Sequence, residues 1–163
     1  ALGAGVAAPL PVMGISSLET LAAAAPLNER QPVCAVIAAP KRHLYCALYA
    51  RRSESAFNCL FGPDLLPVEQ LAERIEATGQ RVAVAGLVDE ETGSVLHHAG
   101  ASLLPAVHGV PRAAVAAWLG WHRLGRGERH DLATLTPQYV HPSEAEVRFG
   151  RTFARPSGPD ADD

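Results

Sequence analysis

Two uninterrupted apolar runs of strand length, Val33 to Ala39 and Leu44 to Ala50, are separated only by Pro40-Lys41-Arg42-His43. A gap that short leaves no room for the crossover that parallel strands need, so the runs are expected to pair as an antiparallel hairpin. A third strand, Ala56 to Phe61, follows the charged turn Arg51 to Ser55 and is expected to stop at Gly62-Pro63. Pro67 then suits the first turn of a helix over residues 67–78, with Val68, Leu71, Ala72 and Ile75 on one face and Gly79 just beyond its end. Arg81 to Leu87 returns to a buried-strand pattern that leads to Gly86. Three antiparallel strands followed by a βαβ-like step define an α/β lobe: a central mixed sheet, early strands antiparallel, helices packed against it.

The flanking segments fit the same plan. Pro11 to Ile15 is a short apolar run that reads as a strand, and Ser16-x-x-Glu19 after it has the form of a capping box. Leu18, Leu21, Ala22 and Ala25 recur at helical spacing until Pro26, which predicts a helix over 16–25. Residues 88–110 are poorly periodic. Pro111 opens a helix over 111–124 that Gly125 closes, with Val115, Trp118, Leu119 and His122 on one face. Thr136 to His141 reads as a last short strand, and the Pro, Gly and Asp-rich end from Pro156 to Asp163 has too little apolar area to order itself.

With 163 residues, 48% of them hydrophobic, the chain can bury one core but not two independent ones. Its 14 Lys and Arg against 17 Asp and Glu give a formal charge of -3, so strong direct binding of nucleic acid is not expected. Residues 1–15 are apolar but are broken by Gly3, Gly5, Pro9, Pro11 and Gly14, too short and interrupted for a membrane anchor. No basic head precedes them, since the first Lys or Arg is Arg30, so no signal peptide is expected and the cytoplasm is the simplest address. Three cysteines without a CxxC pair suggest neither a disulfide framework nor a zinc ribbon.

Several residue types invite chemistry. His97 and His98 are common metal-ligand types, but adjacent side chains diverge on a helix or a strand, so solvated surface histidines are the better reading. Cys34, Cys46 and Cys59 fall in the three candidate strands, where inert core thiols are expected because no neighbour lowers a thiol pKa. Ser16 and Ser17 sit between a strand and a helix, yet the G-x-S-x-G of a nucleophile elbow is missing, and helix capping accounts for them. Lys41, Arg42 and His43, with Arg51 and Arg52, make basic turns that could touch phosphate but lack interleaved aromatics. No P-loop or G-x-G-x-x-G occurs, so no cofactor is called for. Core packing is expected of both Trp118 and Trp121, with one of them available to close an interface.

The order of these segments resembles a family. Pro11-Val12-Met13-Gly14-Ile15-Ser16-Ser17-Leu18-Glu19-Thr20-Leu21-Ala22 looks like the strand and helix that open the second half of TsaB (YeaZ) proteins. The hairpin from Val36 to Tyr45 stands where that family carries Ile-Asp-Ala-Arg, two variable residues, Glu, Val and Tyr. Leu65 to Ala72 resembles the next family helix, Val82 to Gly86 its strand ending in glycine, and Pro137-Gln138-Tyr139-Val140-His141 its Pro-x-Tyr-aliphatic-Arg ending. The resemblance implies an actin-like or ribonuclease-H-like (ASKHA) lobe over residues 1–142 and a charged, largely disordered tail over 143–163. Because the chain begins at an alanine within an apolar, helix-like run, its start is expected to be a cut end, and the resemblance implies that the family's amino-terminal lobe is absent. It further implies a non-catalytic scaffold for threonylcarbamoyl transfer to tRNA adenosine, partnered by the catalytic paralogue TsaD and, through the complex, the ATPase TsaE. No catalytic, cofactor or metal residue is implied, and the matching positions are Ser16, Glu19, Tyr45, Gly86, Pro137 and Tyr139. Ala38, Pro40, His43 and His141 replace the family's Asp, Arg, Glu and Arg, so no charged role carries over there. Two other readings remain: a divergent homodimeric interaction module unrelated to tRNA modification, and a small hydrolase of the kind the family's glycoprotease label suggests.

Overall fold

The computed structural model describes residues 10–26, 31–53, 55–136 and 140. Its elements, in chain order, are α1 (Ser17–Ala23), β1 (Val33–Ala39), β2 (His43–Ser53), β3 (Ala56–Pro67), α2 (Val68–Ala77), β4 (Val82–Ala85), α3 (Glu90–His98), β5 (Ala101–Leu103), a 3-10 turn at Ala106–His108, and α4 (Ala113–Gly125). The strands form one five-stranded sheet in the order β3-β2-β1-β4-β5. β2 runs antiparallel to both β1 and β3, while β1, β4 and β5 are parallel neighbours. The mixed sheet expected from the run lengths is therefore present.

β1 lies at the centre, and its alternating side chains serve two cores. Cys34 and Val36 point to the face covered by α2 and α3, where Leu71, Ile75, Val68 and Leu96 are fully buried. Val33 and Ala35 face α1, packing with Leu18, Leu21, Ala22 and Ala47. A strand buried on both faces has no polar side to alternate with, which is why Val33 to Ala39 reads as a continuous apolar run. On α2 only Val68, Leu71 and Ile75 are buried, the i, i+3, i+7 stripe of an amphipathic helix.

Three local expectations change. The strand at Pro11 to Ile15 shrinks to a single bridge between Val12 and His130, tied by the Gly14 N–H donating to His130 Nδ1 at 2.9 Å. β3 does not stop at Gly62-Pro63 but runs to Pro67, carrying register shifts opposite Cys46, Leu48 and Tyr49. Gly62 permits this: it adopts φ +88°, and a Cβ there would sit 2.6 Å from the Cys46 carbonyl oxygen, so the strand bends through the bulge only with glycine. Residues 88–110 hold α3 and β5, which extend the parallel half of the sheet. The expected last strand at Thr136 to His141 and the tail lie almost wholly outside the described residues.

Lys41 and Arg42, at φ 59° and 56°, occupy the left-handed positions between the Pro40 carbonyl and the His43 N–H, the backbone of a type I′ hairpin turn. That turn sends the Arg42 guanidinium onto Glu69 of α2 at 3.0 Å and onto Glu91 of α3, tying the hairpin tip to both helices. α1 is tied differently. The Ser16 hydroxyl accepts the Glu19 N–H at 3.4 Å, half of a capping box, but the Glu19 carboxylate does not return to the cap. It pairs instead with Arg123 of α4, a largely buried contact between α1 and α4.

Candidate docking surface at the strand ends

Parallel β1, β4 and β5 bring their carboxyl ends to one side of the sheet, the side where open α/β sheets hold ligands and reacting groups. What the sequence places there is apolar. β1 ends in Ile37-Ala38-Ala39, β4 leads into Gly86-Leu87-Val88, and β5 leads into Leu103-Leu104-Pro105. A Cβ on Gly86 would stand 2.2 Å from the Val36 carbonyl oxygen, so the chain leaving β4 passes flush against β1 only because residue 86 has no side chain.

Leu87 then turns outward at 50% exposure and leans on Gly109, where an added Cβ would come within 2.5 Å of it. Leu103, Val107 and Val110 are likewise about half exposed or more. The turn that carries Val107 is held by Arg112, whose guanidinium donates to the Val107 carbonyl, and by the Gly109 N–H donating to the Ala106 carbonyl at 2.9 Å. His108 in this turn has a buried Nδ1 with no hydrogen-bond partner among the described residues. Four large, exposed aliphatic side chains thus lie at the end of β5 and on the segments that follow β4 and β5, Leu87 beside Gly109 and Leu103 beside Gly93, and exposed apolar side chains of this kind suit an apolar partner surface.

Asp89, on the segment after β4, is committed to structure. It caps α3, accepting the Thr92 N–H at 2.7 Å, and that bond holds its carboxyl below the usual range. A general base or acid needs a pKa near working pH, and this bond moves Asp89 further from it.

The residues singled out from the sequence are scattered rather than assembled. Ser16 caps α1 and Ser17 is its first residue, with no side-chain hydrogen bond to an acid or base among the described residues. Tyr45 is half-buried on β2, opposite Ile37 and Leu65. Cys34 and Cys46 are buried as expected; burial pushes both thiols up, Cys46 to about 12, which leaves no thiolate for nucleophilic attack. Cys59 departs from the expectation: it lies on β3 at the edge of the sheet and is exposed, its Sγ 3.3 Å from the Phe61 carbonyl. His97 and His98 are exposed on the last turn of α3, edge to face at 6.4 Å, and His98 Nδ1 meets the Ser94 carbonyl at 2.7 Å. They line an open hollow of about 550 Å³ with Glu76 and Arg81, but among the described residues no three His, Cys, Asp or Glu side chains converge as metal ligands. Arg42 spends its charge on two carboxylates, and Arg51 donates to the Ala25 carbonyl at 3.2 Å and covers Phe57, so these basic turns are structural ties. Pro137, Tyr139 and His141 lie outside the described residues.

Core packing does not hold for both tryptophans. Trp118 is half-buried against His122, whereas Trp121, three residues on and about 300° around the helix, is 76% exposed. The sequence reading also missed Leu87, Leu103, Val107 and Val110. The available signal was several large aliphatics in a stretch with no helical or alternating period, next to Pro105, Gly109 and Pro111: apolar side chains in turns have no core to enter.

No family model matches the chain, and no curated protein does. Among solved structures it is similar to the crystal structure of an uncharacterized protein with similarity to peptidase YeaZ from Pseudomonas aeruginosa, with a TM-score of 0.65 at 22% identity. The fold resembles that of this YeaZ-like protein. The match covers 86% of this chain but 63% of that structure, so the chain spans less than two thirds of its YeaZ-like counterpart. At this identity the likeness concerns the fold, including the mixed sheet ordered 3-2-1-4-5, and carries no residue roles. Among the described residues, no helix is long and apolar enough to cross a membrane.

Proposed function

We propose that this chain is a non-catalytic scaffold that supports a TsaD-like catalytic paralogue, and through that complex a TsaE-like ATPase, in threonylcarbamoyl transfer to adenosine of tRNA. The observation that carries the reading is the apolar character of the strand ends. In a sheet of this topology that position hosts reacting groups, and here it offers Leu87, Leu103, Val107 and Val110. The order of TsaB-like segments in the sequence and the YeaZ-like fold supply the family context.

The magnitude is adequate for a grip. Completing the burial of four half-exposed Leu and Val side chains returns about 1 kcal/mol each, roughly 3–5 kcal/mol for the patch before association costs. That suffices for a hot spot within a larger interface but not for a complex by itself. A hydrolase reading finds little support, since burial raises all three thiols and, among the described residues, Ser17 hydrogen-bonds to no base.

The experiment is complementation together with co-purification. The chain, expressed within its natural gene product, should restore threonylcarbamoyl-adenosine in cells lacking their own TsaB and should retain a TsaD-like partner on affinity purification. Leu87→Glu with Val107→Glu should abolish retention while leaving the circular dichroism spectrum unchanged, because both side chains are already solvated. Failure of the unaltered protein to restore the modification or to retain the partner refutes the scaffold role. Retention that survives the double substitution moves the grip away from the strand ends.

A further inference from the structure

The chain beyond α4 doubles back and is fastened to the segment that enters α1, away from the strand-end residues. His130 bridges to Val12, its N–H donating to the Val12 carbonyl at 3.3 Å, and its ring accepts the Gly14 N–H on Nδ1 at 2.9 Å. Gly14 is the seat of this contact. A Cβ there would stand 3.0 Å from Leu135 Cδ1 and 3.3 Å from His130 Nδ1, so the ring and the leucine close down on a position that carries no side chain. The residues on either side of it, Met13 and Ile15, lie against Gly120 of α4. The fastening joins positions 116 residues apart and holds the start of α1 beside α4.

A backbone N–H donates only to a ring nitrogen that carries no proton. The contact therefore selects the neutral imidazole with its hydrogen on Nε2, because a proton on Nδ1 would set two donors face to face. The His130 ring is exposed, so protons reach it from solvent. We propose that His130 is a pH-sensitive latch, closed while Nδ1 is bare and opened when the ring becomes imidazolium. The closed form binds one proton fewer than the open one. Closure is accordingly favoured at higher pH and lost as the pH falls through the protonation of the ring.

The neighbouring charges are few and mostly spent. Pro11 to Ile15, on which the ring rests, contains no ionisable side chain, and neither does Leu132 to Leu135. Arg129 and Asp131 flank the histidine in sequence, and the Asp131 carboxylate accepts the Ala133 N–H at 2.9 Å. At the end of α4, Arg126 pairs with Glu128 at 2.8 Å, Arg123 is held by Glu19, and His122 stacks edge to face on Trp118. Among the described residues the Gly14 N–H has no acceptor besides His130. Opening is also local, since neither of the two core clusters includes residues 12–15 or 130–135.

Nuclear magnetic resonance on the full chain tests the latch. The neutral His130 ring should be the Nε2–H tautomer, and on acidification the Gly14 amide resonance should move with the titration of that ring, at one shared midpoint. Hydrogen exchange at Gly14 and His130, corrected for its intrinsic pH dependence, should lose about five- to tenfold of its protection across that step, the worth of one hydrogen bond. Val36 and Leu71, in the core, should keep theirs. His130→Gln, whose amide oxygen accepts without titrating, should hold the latch closed at every pH, and His130→Ala should leave it open. An Nδ1–H tautomer, a Gly14 resonance indifferent to the ring's titration, or a His130→Gln chain in which Gly14 still responds would each overturn the proposal. So would core protection that is lost at the same midpoint, since the step would then be general unfolding in acid.

Discussion

Replacing Arg123 with methionine should destabilise the chain by about 2–3 kcal/mol, because it strands the Glu19 carboxylate in a nearly closed site. Glu19 is 7% exposed and Arg123 is its charged partner across the α1–α4 contact. Removing one member of a fully buried pair costs about 3–5 kcal/mol, and the Arg123 side chain is 23% exposed, so water screens part of that cost. For a domain of this size the loss corresponds to a fall in Tm of roughly 5–10 °C. Urea denaturation followed by circular dichroism reads the change directly, since a shifted midpoint at constant slope reports stability alone. Glu19→Gln should cost less, because an amide oxygen still accepts from the guanidinium. Removing both charges, Glu19→Leu with Arg123→Met, should recover most of the loss, as two apolar side chains of similar volume need no partner. The rival account is the capping box that the sequence suggests, in which Glu19 reaches back to the cap and Arg123 is a surface residue. Under it Arg123→Met is nearly silent, and a measured cost below about 0.5 kcal/mol would refute the ion-pair argument.

Three further outcomes follow from single contacts. Gly86→Ala should cost at least about 2 kcal/mol in thermal denaturation, because its Cβ would lie 2.2 Å from the Val36 carbonyl oxygen and backbone on both sides would have to move; an unchanged Tm refutes the close approach. Asp89 is depressed by its bond to the Thr92 N–H, so its capping contribution is full above the ordinary carboxylate range and is lost as pH falls through its lowered value. The stability of Asp89→Asn, which caps without titrating, should accordingly depend less on pH in acid than that of the unaltered chain, and parallel acid-denaturation curves would contradict it. A thiol reagent should modify exposed Cys59 in the folded chain, slowed because partial burial raises its thiol too, and reach Cys34 and Cys46 only on unfolding, because those two are buried; two thiols reacting in the folded chain would mean that the sheet is not packed as described.

The sheet was legible where one physical signal dominated. Val33 to Val36 and most of Leu44 to Ala50 are buried, and two such apolar runs joined by a four-residue turn pair with each other. β3 was cut short because Gly62-Pro63 reads as punctuation, and only the close approach to Cys46 turns that glycine into a bulge. α3 was missed for the opposite reason. Just Thr92, Gly93 and Leu96 are buried in it, so the helical period is carried by one large apolar residue, and the informative residue was Asp89 at the cap. Glu19 had the right spacing for a capping box and a different partner 104 residues away, which no local pattern contains. The strand-end surface could not be read at all before the topology was known: Leu87 and Val107 are 20 positions apart in sequence, and only the parallel order of β1, β4 and β5 brings their segments together.

The same parallel order separates what holds the sheet together from what stands at its carboxyl ends. The geometry that gathers loops at the carboxyl ends of β1, β4 and β5 is set by the cores on the two faces of the sheet, where Val36, Leu71, Ile75 and Leu96 are fully buried on one and Leu21, Ala22, Ala35 and Ala47 on the other. Leu87, Leu103 and Val107 stand outside those clusters and are about half exposed or more, so the cores make only partial use of them. Their exposure does have a consequence for solubility. Half-exposed aliphatics on rigid turns are adhesive, and a chain that carries them gains nothing in stability unless something covers them. Charged substitutions at Leu87 and Val107 are therefore expected to leave unfolding unaffected while lowering non-specific association, and a loss of folding stability in those variants would place the two side chains in a core that the described residues do not contain.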